Sequence, residues 1–409
     1  MTVRDIGASS HPTLQDSAGS ARAGGDRAPA GTGADGRAGH LADLLTLADV
    51  SRAARSRTDR ALWDFIAGGA GEEHTLAANL TAFDQVRLLP RVLSGVREPS
   101  ATVRILGRDW SAPLGIAPTA YHTVMHSAGE VATARAASSA GVLFCVSTFA
   151  GRTLADIATV ASGPLWLQIY CLRDRTATRR LIEEAAATGF EALVLTVDAP
   201  HIGRRLRDLR NGFRLPAGIT PANLTGTGFA SPADHARTEF DPALDWSVLD
   251  WLREISPLPI LLKGILSPDD AIRAADLGVE GIVVSNHGGR QLDGAPATLE
   301  VLPDVAAAVA GRCTVLADGG VRRGRDVLAC LALGADAVLL GRPILHGLAV
   351  GGQAGVESVL RIVVDELVDA MRLAGIRTAT DVPAGLIRPD AAPIPDRRLV
   401  PGAATESPR

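Results

Sequence analysis

The 409-residue chain is 46% apolar and 21% charged, with a formal net charge of −4. That balance suits a globular protein with a sizeable core and excludes the strongly basic surface of a nucleic-acid or anionic-membrane binder. The four cysteines (Cys145, Cys171, Cys313, Cys330) show neither zinc nor CxxC spacing, so a cytoplasmic protein without a metal centre is expected. No run of 18 apolar residues is apparent, so no membrane span is expected.

Residues 1–40 are rich in Gly, Ala, Ser, Asp and Arg and hold no apolar run. They read as a disordered leader, because they lack the apolar mass to offset ordering entropy. A folded domain over 41–383 and a Pro/Arg-rich tail over 384–409 complete the expected organisation. From Pro113 onward, short apolar runs alternate with helical patterns. The strands read as Pro113–Ala117, Val142–Ser147, Leu165–Tyr170, Ala192–Val197, Pro259–Lys263, Gly281–Ser285, Thr314–Ala317 and Ala337–Leu340. Helical spacing covers Ala128–Ala140, Thr176–Thr188, Pro268–Leu277 and Arg325–Leu333, each followed by or ending near a glycine suited to a C-cap. Eight such units in series predict an α/β (β/α)₈ TIM barrel; a doubly wound open sheet is the alternative. The stretch from Asp198 to Leu258, after the fourth strand, is too long for a simple turn and reads as a lid insertion. It opens with the basic run His201-Ile202-Gly203-Arg204-Arg205-Leu206-Arg207.

In such a barrel the C-terminal strand ends build the site, and here those ends carry the polar chemistry. Of 41 Lys plus Arg, a single residue is lysine, Lys263, at the expected end of the fifth strand. A compact ammonium is not interchangeable with a guanidinium beside a delocalised anion. The sixth strand runs into Ser285-Asn286-His287-Gly288-Gly289-Arg290-Gln291. There an arginine fork can hold a carboxylate while the imidazole takes a proton from the neighbouring carbon or hydroxyl. Asp318-Gly319-Gly320-Val321-Arg322-Arg323-Gly324 and Gly341-Arg342-Pro343 follow strands seven and eight, the usual phosphate-binding loops of this architecture. The residues alone leave a sugar phosphate, a nucleotide and flavin mononucleotide (FMN) all open.

Taken together with Ala117-Pro118-Thr119-Ala120, Gln168-Ile169-Tyr170, Leu195-Thr196-Val197-Asp198, Gly203-Arg204-Arg205 and Lys263-Gly264, these motifs resemble, in order, the FMN-dependent 2-hydroxy-acid oxidases and dehydrogenases, over about Leu41 to Thr380. The stretches Asp64–Gly69, Gly203–Phe213 and Ala233-Asp234-His235…Glu239-Phe240 are similar to the branch of that family acting on 4-hydroxymandelate. The resemblance implies FMN as cofactor, a small 2-hydroxy acid as substrate, oxygen or another electron acceptor, and a homotetramer. It implies His287 as the base, Asp198 as the carboxylate behind it, Arg205 and Arg290 as the carboxylate clamp, and Tyr170 as partner of the substrate hydroxyl. Lys263 would stabilise negative charge on the flavin. Pro118, Thr119, Ala120, Ser147, Gln168 and Thr196 would contact its ring, and Ser285 would line its pocket. Asp318, Gly319, Gly320, Arg322, Gly341 and Arg342 would hold ribityl and phosphate.

Two positions depart from the family pattern. Phe65 stands where many members carry a tyrosine that helps bind the carboxylate, and Phe149 stands where glycolate oxidase has a tryptophan. Both suit an aryl substrate better than glycolate or lactate. The expected reaction is oxidation of an (S)-2-hydroxy acid to the 2-keto acid with hydrogen peroxide as co-product. Oxidative decarboxylation, oxidation of a larger biosynthetic hydroxy or amino acid, and a non-catalytic flavin- or phosphate-binding barrel are the alternatives.

Overall fold

The computed structural model describes residues 41–224 and 231–388, so the expected leader and residues 389–409 of the expected tail lie outside the described residues. So do the side chains of 232–235, which carry part of the lid motif. Eight parallel strands close into a barrel: β3 (Leu114–Ile116), β4 (Leu143–Ser147), β5 (Leu165–Ile169), β6 (Ala192–Thr196), β7 (Ile260–Ile265), β8 (Gly281–Val284), β9 (Thr314–Asp318) and β10 (Ala337–Leu340), with β10 pairing back onto β3. All eight expected strands are present within one or two residues of their expected bounds. Nearly every residue in them is buried, which is why they read as continuous β-branched and leucine runs and not as alternating patterns. A two-stranded antiparallel hairpin, β1 (Val103–Ile105) and β2 (Arg108–Trp110), precedes the barrel. Its fully buried Trp110 ring lies 5.5 Å from Trp166 at the start of β5, so the hairpin packs at the N-terminal end of the barrel.

The structure departs from expectation at three places. First, β7 does not end at Lys263 but runs on to Ile265, with a register shift against β8 between Lys263 and Ile265. Gly264 sits at that bulge with φ +114°, and a Cβ there would lie 2.5 Å from Asp198 Cβ, so only glycine fits. Second, the insertion after β6 carries helices Leu206–Asn211, Pro232–Glu239 and Val248–Ile255. Third, helix Arg342–Ala374 is long and apolar enough to cross a membrane, contrary to the expected lack of any such segment. It is a core helix: 61% of its most apolar window is buried, it packs on helices Leu47–Arg57 and Gly129–Ala140, and it is broken at Gly351-Gly352. The first residues of the expected tail pair back onto the body, with Leu386 C=O accepting from Leu89 N–H at 2.8 Å.

Candidate active site

The C-terminal strand ends surround an open cleft of about 1220 Å³. Its walls include Pro118, Thr119, Ala120, Ser147, Phe149, Gln168, Tyr170, Thr196 and Lys263 on one arc. His287, Arg290, Asp318, Gly319, Gly320, Arg322, Gly341 and Arg342 form the other, with Phe65 and Arg205 from the flanking segments. Two expected residues stand behind this surface. Ser285 is fully buried and does not line the cleft, and Asp198 sits behind His287.

His287 follows β8 in a left-handed conformation, φ +58°, which costs a non-glycine residue energy and is characteristic of functional turns. Ser285 Oγ accepts the His287 N–H at 3.0 Å and so supports that turn. His287 Nδ1 lies 2.9 Å from Asp198 Oδ1. With Nδ1–H donated to the carboxylate, Nε2 keeps its lone pair for the cleft. Burial pushes the imidazole below its ordinary pKa, and Asp198 only partly offsets this while Lys263 and Arg205 add to it. Burial alone would raise the Asp198 carboxyl, but His287 and then Lys263 outweigh it and hold it below the usual range. The pair therefore rests as neutral imidazole and ionised carboxylate.

Lys263 is buried and bonded on two sides. Its Nζ donates to Ser285 Oγ at 2.9 Å and lies 3.1 Å from Asp318 Oδ2, while Ser285 Oγ donates to Asp318 Oδ1 at 2.6 Å. Burial disfavours the ammonium, but Asp318 and Asp198 more than compensate and its pKa is raised. Ser285 thus ties the ammonium to the His287 turn. Gln168 makes the matching link on the other arc, donating to Thr196 Oγ1 at 3.0 Å and accepting from Ser147 Oγ at 3.2 Å.

Three arginines of the cleft differ in what they touch. Arg342 points its guanidinium at backbone, donating to the carbonyls of Ile66 (3.0 Å), Gly68 (2.9 Å) and Gly288 (3.0 Å). These bonds fasten the segment after helix Arg60–Ala67 to the His287 turn, while Arg342 also lines the cleft. Arg290 donates to Phe65 C=O at 3.0 Å and Gly68 C=O at 2.7 Å. Arg205 lies 4.0 Å from the Asp208 carboxylate, and its Nε is buried without a partner. Burial lowers all three pKa values, and neighbouring guanidiniums lower two of them further: Arg290 is pressed down by Arg205 and Arg342, and Arg342 falls to about 9. Buried cations that repel one another stabilise an incoming anion.

The remaining basic run splits: Arg207 pairs with Glu73 and Asp64, while Arg204 is exposed. The loop after β9 is glycine-rich and closely packed. Gly319 and Gly320 both have φ +93°, and a Cβ on Gly320 would lie 2.0 Å from the Asn79 carbonyl oxygen. Beside them Arg322 is half-buried, with desolvation lowering its pKa, and donates to its neighbour Val321 C=O at 2.8 Å.

One wall is aromatic. Tyr170 stacks on Phe240 at 4.2 Å and on Phe149 at 5.5 Å, and Phe149 lies 6.2 Å from Tyr121. Burial raises the Tyr170 hydroxyl's pKa, with Asp198 adding to it, so it remains a donor. Across the cleft Phe65 stacks on Phe213 at 4.4 Å under Arg290, whose guanidinium carbon is 5.5 Å from the ring centre. Tyr121, Phe240 and Ile202 also line the cleft without having been singled out as site residues. Tyr121 carried a signal as one of only two tyrosines, whereas Phe240 sits in an insertion whose path the sequence does not specify.

The profile of the FMN-dependent dehydrogenase family matches residues 54–389. Over 339 residues the chain is 47% identical to 4-hydroxymandelate oxidase of Amycolatopsis orientalis, covering 81% of this chain and 94% of that one. Over 355 residues it is 45% identical to L-lactate oxidase of a Nostoc species, covering 84% and 97%. Among solved structures, mandelate oxidase with (S)-4-hydroxymandelic acid superposes with a TM-score of 0.80 at 45% identity, covering 83% of this chain and 98% of that one.

Proposed function

This chain belongs to the FMN-dependent dehydrogenase family, and from that premise we propose that it oxidises an (S)-2-hydroxy acid with an aryl side chain, such as mandelate or 4-hydroxymandelate, to the 2-keto acid. Its cofactor is FMN and its reaction class is 2-hydroxy-acid oxidation. The observation that carries the residue roles is the convergence of a neutral, carboxylate-backed His287 with Arg290 and with Arg205, whose Nε has no partner, on one cleft.

In this reading Arg205 and Arg290 take the substrate carboxylate, which relieves their mutual repulsion and fixes the reacting carbon toward His287. His287 Nε2 takes the proton, and Asp198 stabilises the imidazolium that results. Tyr170 donates to the substrate oxygen as its bond to carbon gains double-bond character. FMN, when bound, would supply the two-electron acceptor, with dioxygen as the terminal oxidant and hydrogen peroxide as co-product. Lys263, held by Asp318 and Ser285, places a fixed cation at the cofactor's side of the cleft, and Gly319, Gly320 and Arg322 hold its phosphate. The aryl preference rests on the Phe65, Phe149, Tyr170 and Phe240 rings, which offer faces for stacking, and on the relatives' substrates. We further propose a cytoplasmic homotetramer; all four cysteines are free thiols, a state that a reducing compartment preserves.

The test is the visible spectrum of the purified protein before and after anaerobic addition of racemic mandelate. A flavin spectrum that bleaches within the mixing time of a manual experiment supports the aryl reading. A spectrum that stays oxidised with mandelate but bleaches with lactate or glycolate overturns the aryl preference.

A further inference from the structure

A second cavity, open to solvent as the cleft is, lies against β6 and β7 beside helix Val248–Ile255. It shares Tyr170, Thr196 and Phe240 with the active-site cleft, so those three side chains form a common wall. Most of its lining is apolar, including Leu195, Val197, Leu244, Val248, Leu249 and Leu262. The charges around the two cavities are opposite in sign. The cleft is lined by Arg205, Arg290, Arg322, Arg342 and Lys263, against one aspartate. The second cavity is lined by Asp241, Asp245 and Asp270, with no lysine or arginine among its lining residues, although Arg175 pairs with Asp241 at 2.6 Å.

We propose that this second cavity is the dioxygen site and entry route of the enzyme. The proposal rests on the oxidase reading above, in which two electrons and two protons leave the hydroxy acid and end on O₂ as H₂O₂. The two reactants differ in the properties by which the cavities differ. The hydroxy acid is an anion that the arginine-lined cleft attracts and an acid-rimmed cavity repels. Dioxygen is small, neutral and apolar, and partitions into apolar space that holds water poorly. A product keto acid held by Arg205 and Arg290 would block the cleft mouth, whereas the second cavity approaches the same site from the far side of Tyr170, Thr196 and Phe240. Two backbone hydrogen bonds hold Phe240 beside Tyr170 in that wall: Asp241 N–H donates to Cys171 C=O at 3.1 Å and Arg173 N–H to Glu239 C=O at 2.8 Å.

The experiment fills the cavity from its outer lip with Leu244→Trp and, separately, Val248→Phe, neither of which touches the cleft. Anaerobic stopped-flow reduction by mandelate should match the unaltered enzyme, while reoxidation of the reduced enzyme by O₂ should slow about tenfold as access becomes limiting. As a readout independent of turnover, crystals of the unaltered holoenzyme under xenon pressure should show xenon in this cavity, and Leu244→Trp should displace it. Reoxidation that is unchanged in both variants overturns the proposal and leaves the oxidase reading standing. Reduction and reoxidation that fall together also overturn it, since the cavity then serves the substrate. An unaltered enzyme that mandelate reduces but O₂ does not reoxidise overturns the oxidase reading and this proposal with it.

Discussion

His287 rests neutral because burial outweighs the carboxylate beside it, and that ordering sets its pH behaviour. The proposed base works only when unprotonated, so flavin reduction should lose rate as pH falls through a value below the ordinary histidine pKa of about 6.5. Replacing it by Ala removes base catalysis and should slow reduction by roughly 10²–10⁴-fold, with the visible flavin spectrum of the resting enzyme unchanged. Near-normal reduction in that variant would remove His287 from the mechanism. Asp198→Asn separates two effects of the carboxylate. It deletes a charge that raises the His287 pKa, so the acid limb should move to still lower pH. It also strips the imidazolium of its charged partner, which at about 1.5–3 kcal/mol is roughly a 10- to 100-fold loss of rate. An acid limb that moves to higher pH would show that Asp198 does not act on His287 in this way. The pairing of these two residues was legible from motif resemblance, but the reason it works was not: a histidine's burial is a property of the assembled barrel.

At the scale of elements, the eight strands were readable because a parallel barrel buries both faces of each strand, leaving runs of leucine and valine that the polar strand ends interrupt abruptly. What the chain order hides is how separated elements lock the ends together. Asn79, on helix His74–Gln85, and Asn286, after β8, exchange reciprocal amide hydrogen bonds at 2.8 Å in a buried position, and Asn286 donates again to Pro296 C=O at 2.9 Å. Neither residue stands out by type or spacing, and the partners are 207 positions apart. Asn79→Ala should leave Asn286 with unmet bonds, costing about 1–3 kcal/mol, and because the Asn79 carbonyl abuts Gly320 it should also weaken FMN retention, measured by flavin release on dilution. Undiminished retention at equal or lower stability would mean that the helix does not brace the phosphate loop. The β7 bulge was equally hidden, since Lys263-Gly264 reads as a strand end. Gly264→Ala forces a side chain into Asp198 and a strained φ, so it should destabilise the fold by about 1–3 kcal/mol and lower the reduction rate through Asp198. Normal reduction in a folded Gly264→Ala protein would show that Asp198 has room to move without consequence.

For the molecule as a whole, desolvation opposes protonation of three histidines, the buried His122 and His346 and the half-buried His287. His346 is the cleanest reporter, because its pKa falls to about 3, driven first by burial and then by Arg322 and Arg342. It packs face to face with Trp63 at 4.9 Å, and its Nε2 has no hydrogen-bond partner. The sign follows from proton counting. Below the ordinary histidine value of about 6.5 the unfolded chain binds a proton at this position that the folded chain refuses. The stability that the neutral residue contributes is therefore complete above that value and is lost as pH falls from there toward the depressed folded pKa, by about 1.4 kcal/mol per pH unit. Buried carboxylates add their own pH dependence, so the informative quantity is the difference between two proteins. His346→Phe keeps the stack on Trp63 and removes the titration, so holoenzyme unfolded in urea at pH 7.5, 6 and 5 should lose stability more steeply than the variant, with the gap widening as pH falls. A gap that stays constant from pH 7.5 to 5 would show that His346 takes up its proton in the folded state as readily as in the unfolded one, and that the arginines around the phosphate loop do not exclude it.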